Sequence, residues 1–160
     1  MKERIKEILA QLGADACGIA SVDAFREAPK GFHPLDIFPS CKSVVVFALA
    51  LPRALYTVDT KIVYHHANNT SLLEIDRITL LACKQLEELG AACMPIPCDS
   101  PYEHWEAGRL YGQGTLSLRH AAVLAGIGCM GKNTLVMNRR FGNRMNFGAL
   151  LTDLSLPSDP

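Results

Sequence analysis

A glycine-rich segment in the last third of the chain is the part whose residue types and spacing could do chemistry. It reads Gly126-Ile-Gly-Cys-Met-Gly131-Lys132-Asn133-Thr134. This spacing nearly matches the phosphate loop G-x-x-x-x-G-K-[ST], with Asn133 where a magnesium-binding hydroxyl would stand. That loop needs a strand before it and a helix after it, so that the helix N-terminus meets the phosphates. The sequence predicts the reverse order here, which argues against a nucleotide triphosphatase.

Two interpretations of this segment compete. In one it is a glycine-rich turn that joins a helix to a strand. In the other the glycines let the backbone approach a flat ligand closely, and polar residues supply hydrogen-bond donors at the ligand's rim. We adopt the second and expect the pocket between residues 98–115 and 126–134. The candidate cofactor-binding residues are Gly128, Cys129, Met130, Gly131, Lys132, Asn133 and Thr134; for Cys129 a packing role is the competing interpretation.

Other clusters favour ordinary structural roles. The adjacent His65 and His66 point apart on a helix or strand, so they are poorly placed to bind one metal ion. The spacing Cys93-x4-Cys98-x5-His104 matches no standard zinc pattern. We therefore predict no metal site.

Two further groups stand in predicted polar loops. The basic cluster of Arg139, Arg140 and Arg144 could contact an anion or RNA, and we interpret it as a solvated turn. Five aromatic residues are candidates for a ligand wall or for packing beneath their own loops: Tyr56, Tyr64, Tyr102, Trp105 and Tyr111.

Composition narrows the class of protein. The 160 residues include 16 Lys+Arg and 16 Asp+Glu, so the formal net charge is zero. Proteins that bind nucleic acid by neutralising phosphates are usually basic. The six cysteines include no C-x-x-C pair, so neither a zinc ribbon nor a full iron–sulfur ligand set is encoded here. No apolar run is long enough for a membrane span, and the start is too charged for a signal peptide. We expect a cytoplasmic protein with no membrane partner.

Hydrophobic periodicity predicts the elements that position the glycine-rich segment. Ile5, Ile8, Leu9 and Leu12 form one helix face, and Gly13 is placed to end that helix. Segments 16–20 and 43–50 read as buried strands, the second covered on both faces.

The second half of the chain predicts more helices and strands. Ser71 and Glu74 form a capping box that would start a helix of about five turns, with Leu72, Ile75, Ile78, Ala82, Leu86 and Leu89 facing inward. Gly90 would end it. A buried strand over 91–97, a long loop over 98–114, a helix over 116–125 and strands over 135–137 and 147–154 follow. The expected fold class is α/β or α+β, with a central mixed sheet covered by helices.

The glycine-rich segment also carries a family resemblance. Residues 118–135 (LRHAAVLAGIGCMGKNTL) resemble the A-G-L-G-x-x-G-K-N-T segment of the epoxyqueuosine reductase family. The run FGALLTD at 147–153 and the segments 39–47 and 89–97 are similar to that family in the same order. The resemblance covers most of the chain, and its specific part is residues 118–153. Reductive dehalogenases are cobalamin-dependent relatives of this family.

The resemblance implies a base-off cobalamin-binding domain with a fold similar to the flavin nitroreductases. It implies residues 1–153 as that domain and 154–160 as a linker toward a ferredoxin-like module with two [4Fe-4S] clusters. The chain itself has no cluster cysteines, so electrons would come from such a module or from an electron-donor protein. Because the fold is shared, FMN is the alternative cofactor.

One position departs from the family pattern. The family's acidic proton donor precedes the Arg-x-Ala helix, and alignment on Arg119 puts Gly112 in its place. Glycine cannot donate a proton. Glu103, His104, Glu106 or Tyr111 could substitute for the acid, but no residue pattern selects one, so we assign no catalytic residue. The departure argues against epoxyqueuosine as substrate and against tRNA as partner. The leading hypothesis is a cobalamin-dependent reductase-like domain. The alternatives are a non-catalytic module that binds a corrinoid or another flat cofactor, and a flavin-binding protein.

Overall fold

The structure is a computed structural model that describes residues 1–57 and 59–160. Four strands form one sheet, and helices lie on both of its faces. The helices are α1 (Lys2–Gln11), α2 (Pro34–Ile37), α3 (Lys61–Glu88) and α4 (Leu118–Leu124), with 3-10 turns at Val22–Phe25 and Arg53–Tyr56. The strands are β1 (Ala16–Ser21), β2 (Ser43–Ala50), β3 (Cys93–Ile96), β4 (His104–Glu106), β5 (Tyr111–Gln113), β6 (Cys129–Met130), β7 (Val136–Met137) and β8 (Met145–Thr152). The predicted fold class is confirmed.

The order of the central sheet is β1-β2-β8-β3, and all three of its pairings are antiparallel. The expectation of a mixed sheet was therefore wrong in this detail. Strand β3 does run parallel to β2, as the crossover through α3 suggests. However, the last strand, β8, inserts between them and runs opposite to both. A pairing between the start and the end of a chain leaves no local pattern in the sequence.

Strand β2 lies at the centre of the packing, as its continuous apolar run predicts. Val45 and Phe47 pack into one core with α1 and α3. Val44 and Val46 pack into a second core on the opposite face, with α4 and the segment that follows it. Because successive side chains of a strand point to opposite faces, an all-apolar strand is stable only with layers on both sides.

Three helices end at a glycine in the same way. Gly13, Gly90 and Gly126 follow α1, α3 and α4 with φ values of 111°, 86° and 72°. At α4 the Gly126 N–H donates to the Val123 carbonyl at 3.0 Å and the Ile127 N–H to the Ala122 carbonyl at 3.0 Å. This is a Schellman motif, in which a left-handed residue after the helix lets the last carbonyls find donors. The predicted helix stops at Gly13 and Gly90 are confirmed.

Helix α3 begins eleven residues earlier than the capping-box prediction, because its N-cap is Thr60 and the predicted N-cap was Ser71. It starts after Thr60, and Ser71 and Glu74 lie inside it. Glu74 instead accepts hydrogen bonds from Arg77, one turn further on. The first buried residue of α3 is Ile75, so its polar first half offered no hydrophobic periodicity to detect. Within the described residues, no helix is both long and apolar enough to cross a bilayer.

The predicted strand over 91–97 forms as β3, but at the edge of the sheet and half-exposed rather than buried. Pro95 explains the position, because proline lacks the N–H that a central strand must donate. The predicted inward residue Leu89 is likewise exposed. The long loop over 98–114 contains the β4–β5 hairpin, and 135–137 and 147–154 form as β7 and β8 with slightly different ends.

Helix α4 approaches β1 more closely than a side chain would allow. A Cβ added at Gly18 would lie 2.0 Å from the Ala125 carbonyl oxygen. Gly18 thus sets how near α4, and the glycine-rich segment after it, sits to the sheet.

Residues 154–160 lie along the outer edge of β1. Leu156 is buried, and the Ile19 N–H and the Asp159 N–H each bond across to the other segment at 3.0 and 2.8 Å. The Asp159 carboxylate also contacts Lys2 and Lys6 at 2.7 and 2.8 Å. Partial burial raises the pKa of Asp159, but the hydrogen bonds from both lysines outweigh it and hold the pKa below its usual value.

We expect Gly18→Ala to destabilise the fold by about 1–3 kcal/mol, because the added methyl forces α4 away from the sheet. Urea unfolding followed by circular dichroism measures this. The matched control is Gly114→Ala, where the added methyl would meet its nearest neighbour at 4.0 Å, and its effect should stay within about 0.5 kcal/mol. Equal stabilities of the two variants would contradict the close approach.

Replacement of Asp159 by Asn should lower the free energy of unfolding by about 1 kcal/mol at pH 7. The folded-state pKa is depressed, so the stabilisation is present above the unfolded-state pKa of about 4 and is lost as the pH falls through the folded value. The stabilities of wild type and D159N should therefore converge in acid. Glu27→Gln, at a side chain that is 92% exposed, is the control and should show no such convergence.

Candidate functional site

The glycine-rich segment folds into a small hairpin that follows α4. Strands β6 and β7 pair antiparallel, with Cys129 opposite Met137. A tight turn joins them: the Thr134 N–H donates to the Gly131 carbonyl at 2.9 Å, and the Gly131 N–H donates to the Leu135 carbonyl at 2.8 Å. We call residues 131–135 the β6–β7 turn. A helix precedes the segment and a strand follows it, so the predicted order of elements is confirmed. This order is the reverse of the one that a phosphate loop requires.

Two of the glycines accommodate the chain's own backbone. A Cβ at Gly126 would lie 2.2 Å from the Pro160 carbonyl oxygen, and one at Gly128 would lie 2.4 Å from the Met137 carbonyl oxygen. Close approach to a flat ligand is therefore not needed to explain glycine at either position. The helix cap and the hairpin require it already.

The polar end of the segment faces solvent. Lys132 and Asn133 directly follow Gly131 in the β6–β7 turn and are exposed, as are Cys129 and Thr134. Gly128, Met130 and Gly131 are half-buried. In the part of the chain that the structure describes, the backbone N–H groups of Lys132 and Asn133 have no acceptor. The turn thus carries two backbone donors without an internal acceptor, together with an exposed ammonium group and an exposed carboxamide.

Two residues that fix this hairpin were missed by the sequence analysis. The Asn138 side-chain amide donates to the Ile127 carbonyl at 2.6 Å, and its carbonyl oxygen accepts from the Arg140 N–H at 2.8 Å. The Arg119 guanidinium donates to Thr134 from α4. An Asn at the start of a turn is a usable sequence signal, whereas the contact of Arg119 spans fifteen residues and leaves none.

Most of the arginines and aromatic residues that the sequence analysis proposed as ligand contacts instead contact other residues of this chain. Arg144 donates to the Leu51 carbonyl and ties β8 to the end of β2, while the Arg140 guanidinium lies 4.9 Å from the centroid of the Phe141 ring. Four of the five candidate aromatic residues contact one another in pairs: Tyr56 with Tyr64 at 5.7 Å, and Tyr102 with Trp105 at 5.4 Å between ring centroids.

Three of the six thiols, those of Cys41, Cys83 and Cys98, are suited to packing. Cys41 and Cys83 are buried, and burial raises the pKa of Cys41 to about 11 and that of Cys98 to about 12. Such thiols stay protonated at neutral pH and are poor nucleophiles. Among the described residues, no group of three or more His, Cys, Asp or Glu side chains is arranged to hold a metal ion.

Two cavities lie away from the β6–β7 turn. One, of about 280 Å³, is lined by Leu55, Asp59, Thr60, Lys61, Tyr64 and His65. The other, of about 250 Å³, lies between α3 and β3. Pockets that enclose drug-sized ligands measure roughly 300–1,000 Å³, so neither is large enough to enclose a tetrapyrrole-sized molecule.

Comparison with solved structures identifies the architecture. An epoxyqueuosine reductase from Streptococcus thermophilus matches 100% of this chain with a TM-score of 0.67 at 20% sequence identity. The chain has the fold of the epoxyqueuosine reductases. A reductive dehalogenase whose dehalogenation is described as B12-dependent matches 98% of the chain with a TM-score of 0.69 at 18% identity. The resemblance carried by the sequence is thereby confirmed.

Sequence similarity is concentrated in a short stretch. The epoxyqueuosine reductase of Pseudomonas aeruginosa is 53% identical over 36 residues, which are 22% of this chain and 10% of that protein. No protein-family model matches the chain. The chain spans 48% of the Streptococcus epoxyqueuosine reductase and 20% of the reductive dehalogenase.

Within this epoxyqueuosine reductase fold, Gly112 lies on β5 beneath an aromatic ring. It stands opposite Trp105 in the β4–β5 hairpin, and a Cβ at this position would lie 2.7 Å from Cδ1 of Tyr102. The Tyr102 hydroxyl donates to Asp99 at 3.3 Å, and the charge of Asp99 raises the pKa of Tyr102. The space that an acidic side chain at position 112 would need is therefore filled by Tyr102.

Either Gly112→Ala or Gly112→Asp should displace Tyr102 from its stack with Trp105. Because Trp105 is the only tryptophan, its fluorescence emission reports the change directly. We expect a shift in both variants, with a stability loss under about 1 kcal/mol because the hairpin is exposed. Gly108→Ala is the control, since nothing lies within 4 Å of a Cβ added there. Unchanged emission in G112A would show that Tyr102 does not cover this glycine.

Proposed function

We propose that this chain is the corrinoid-binding domain of an oxidoreductase of the epoxyqueuosine reductase and reductive dehalogenase type. The observation that carries the proposal is the fold match over the whole chain to both groups, one of which includes a B12-dependent enzyme. The 36-residue stretch of 53% identity supports it independently.

The β6–β7 turn fits the edge of a corrinoid. The rim of that ring carries carboxamide groups, whose carbonyl oxygens accept hydrogen bonds. Lys132 and Asn133 offer side-chain donors there, and their backbone N–H groups have no acceptor within the described chain. The described cavities do not enclose a ligand of this size. We therefore propose that the β6–β7 turn grips the ring edge-on through Lys132 and Asn133, with the ring faces covered by other surfaces.

A bound corrinoid would supply a redox-active cobalt. The chain's contribution would be to bind and orient the ring through the β6–β7 turn, whose conformation is fixed by hydrogen bonds within it and from α4. Gly112 and the Tyr102 ring above it leave no acid at the position where the family places its proton donor.

A binding module without catalysis is the second candidate, and the filled space at Gly112 favours it. Such a module would carry or sense a corrinoid, or dock to a partner that bears iron–sulfur clusters. Addition of a chemical reductant and a panel of electron acceptors to the corrinoid-loaded protein separates the two proposals. Turnover supports the reductase, and tight binding without turnover supports the module.

Titration of the purified protein with cob(II)alamin tests the binding proposal. We expect an absorbance change toward the base-off form. Combined replacement of Lys132 and Asn133 by Ala should raise the Kd by roughly tenfold, which corresponds to about 1.4 kcal/mol. The backbone N–H groups of the turn remain in this variant, although it also loses the bond from the Leu135 N–H to the Asn133 side-chain oxygen. Binding should therefore weaken rather than disappear.

Lys84→Ala is the matched control, because it removes one exposed lysine from α3, far from the hairpin in sequence, and should bind as wild type does. Absence of any spectral change with the wild-type protein would overturn the proposal. Binding of FMN in place of cob(II)alamin would mean that the protein is a flavin-binding protein of similar fold.

A further inference from the structure

Thr134 has an unusual backbone conformation for its residue type. Its φ of 62° lies in the left-handed region, which only one other non-glycine residue in the described chain, Leu110, enters. This conformation costs an L-residue about 1–2 kcal/mol, and a β-branched residue is especially uncommon there. The β6–β7 turn therefore depends on contacts that keep Thr134 in this state.

The bonds inside the turn hold it only in part. The Thr134 N–H donates to the Gly131 carbonyl at 2.9 Å, and the Leu135 N–H donates to the Asn133 side-chain oxygen at 3.2 Å. These bonds close the loop, but neither engages the carbonyl or the hydroxyl of Thr134.

Arg119 engages both. Its Nη1 donates to the Thr134 carbonyl oxygen at 2.9 Å and to Thr134 Oγ1 at 3.0 Å. One guanidinium nitrogen thus fixes the peptide plane and the side-chain rotamer of the same residue. The backbone of Arg119 is held in place by its helix, because Ala121 and Ala122 of α4 are fully buried in the core.

We infer that Arg119 is a positioning residue for the corrinoid-binding turn: it holds Thr134 in its left-handed conformation, and thereby keeps the Lys132 and Asn133 donors directed outward. This inference rests on the proposed function for the identity of the ligand. The effect of Arg119 on the turn itself does not depend on any ligand.

If Arg119 only stabilised the fold, its loss would lower the free energy of unfolding rather than weaken ligand binding. The contact is exposed, and water competes for its hydrogen bonds, so its net contribution to global stability is small. A turn that spends only a fraction of its time in the competent form binds with a Kd raised by the inverse of that fraction. Loss of Arg119 should therefore weaken ligand binding and leave global unfolding almost unchanged.

The experiment compares Arg119→Ala, Arg119→Lys and the double variant Arg119→Ala with Thr134→Gly. In the cob(II)alamin titration we expect R119A to raise the Kd by roughly tenfold and R119K to lie between R119A and wild type. Glycine adopts a φ near 60° without strain, so T134G should restore the Kd of R119A to within about threefold of wild type. Arg26→Ala, at an arginine that is 83% exposed, controls for the loss of one positive charge.

Two ligand-free measurements accompany the titration. Hydrogen exchange at the Gly131 amide, which is bonded across the turn, should accelerate in R119A and slow again on addition of T134G. The urea midpoint of R119A should match that of R26A. If R119A does not fold, R119K provides the same comparison with the charge retained.

The outcomes separate the inference from the proposed function. Failure of wild type to bind cob(II)alamin overturns the function, while the exchange data still decide the role of Arg119 in the turn. Normal binding and normal exchange in R119A overturn the inference. Weakened binding that T134G does not rescue, with unchanged exchange, also overturns it and would instead mean that Arg119 contacts the ligand.

Discussion

The distance between helix α4 and strand β1 is the constraint on which the candidate site depends. At Gly18 the helix end comes so near that one added carbon would overlap the Ala125 carbonyl oxygen. The Schellman motif at Gly126 then turns the chain sharply into the β6–β7 hairpin. The position of the β6–β7 turn follows from these two contacts, because few residues separate them from Lys132.

The glycines of the segment make room for neighbouring backbone atoms, and its polar residues are exposed at the surface. Gly126 and Gly128 are required by carbonyl oxygens of Pro160 and Met137, so the idea of a glycine platform beneath a flat ligand gives way to a rigid hairpin that displays donors at its tip. This revision leaves the chemistry of the segment intact. It moves the proposed ligand from above the glycines to the exposed turn beyond them.

The fold and the local chemistry bear on two separate questions, cofactor binding and catalysis. The architecture is that of proteins that include a B12-dependent enzyme, and the turn offers donors suited to an amide-rich ring. At Gly112 there is no proton donor, and Tyr102 fills the space above this glycine. A shared fold does not imply a shared activity. The contacts described are compatible with a domain that binds a cofactor without catalysing a reaction.

Local patterns in the sequence were sufficient for the strand at 43–50, the helix stops at Gly13 and Gly90, and the helix–turn–strand order around residues 126–134. Each of these depends on side-chain periodicity or on the backbone freedom of glycine, which act over a few residues. The early start of α3 was not predicted, because the exposed first half of this helix has no periodic pattern of hydrophobic residues. The insertion of β8 between β2 and β3, the grip of Arg119 on Thr134 and the cover of Tyr102 over Gly112 were decided only by the tertiary structure. These contacts join groups through space, and their energies depend on distances that the order of residues does not encode.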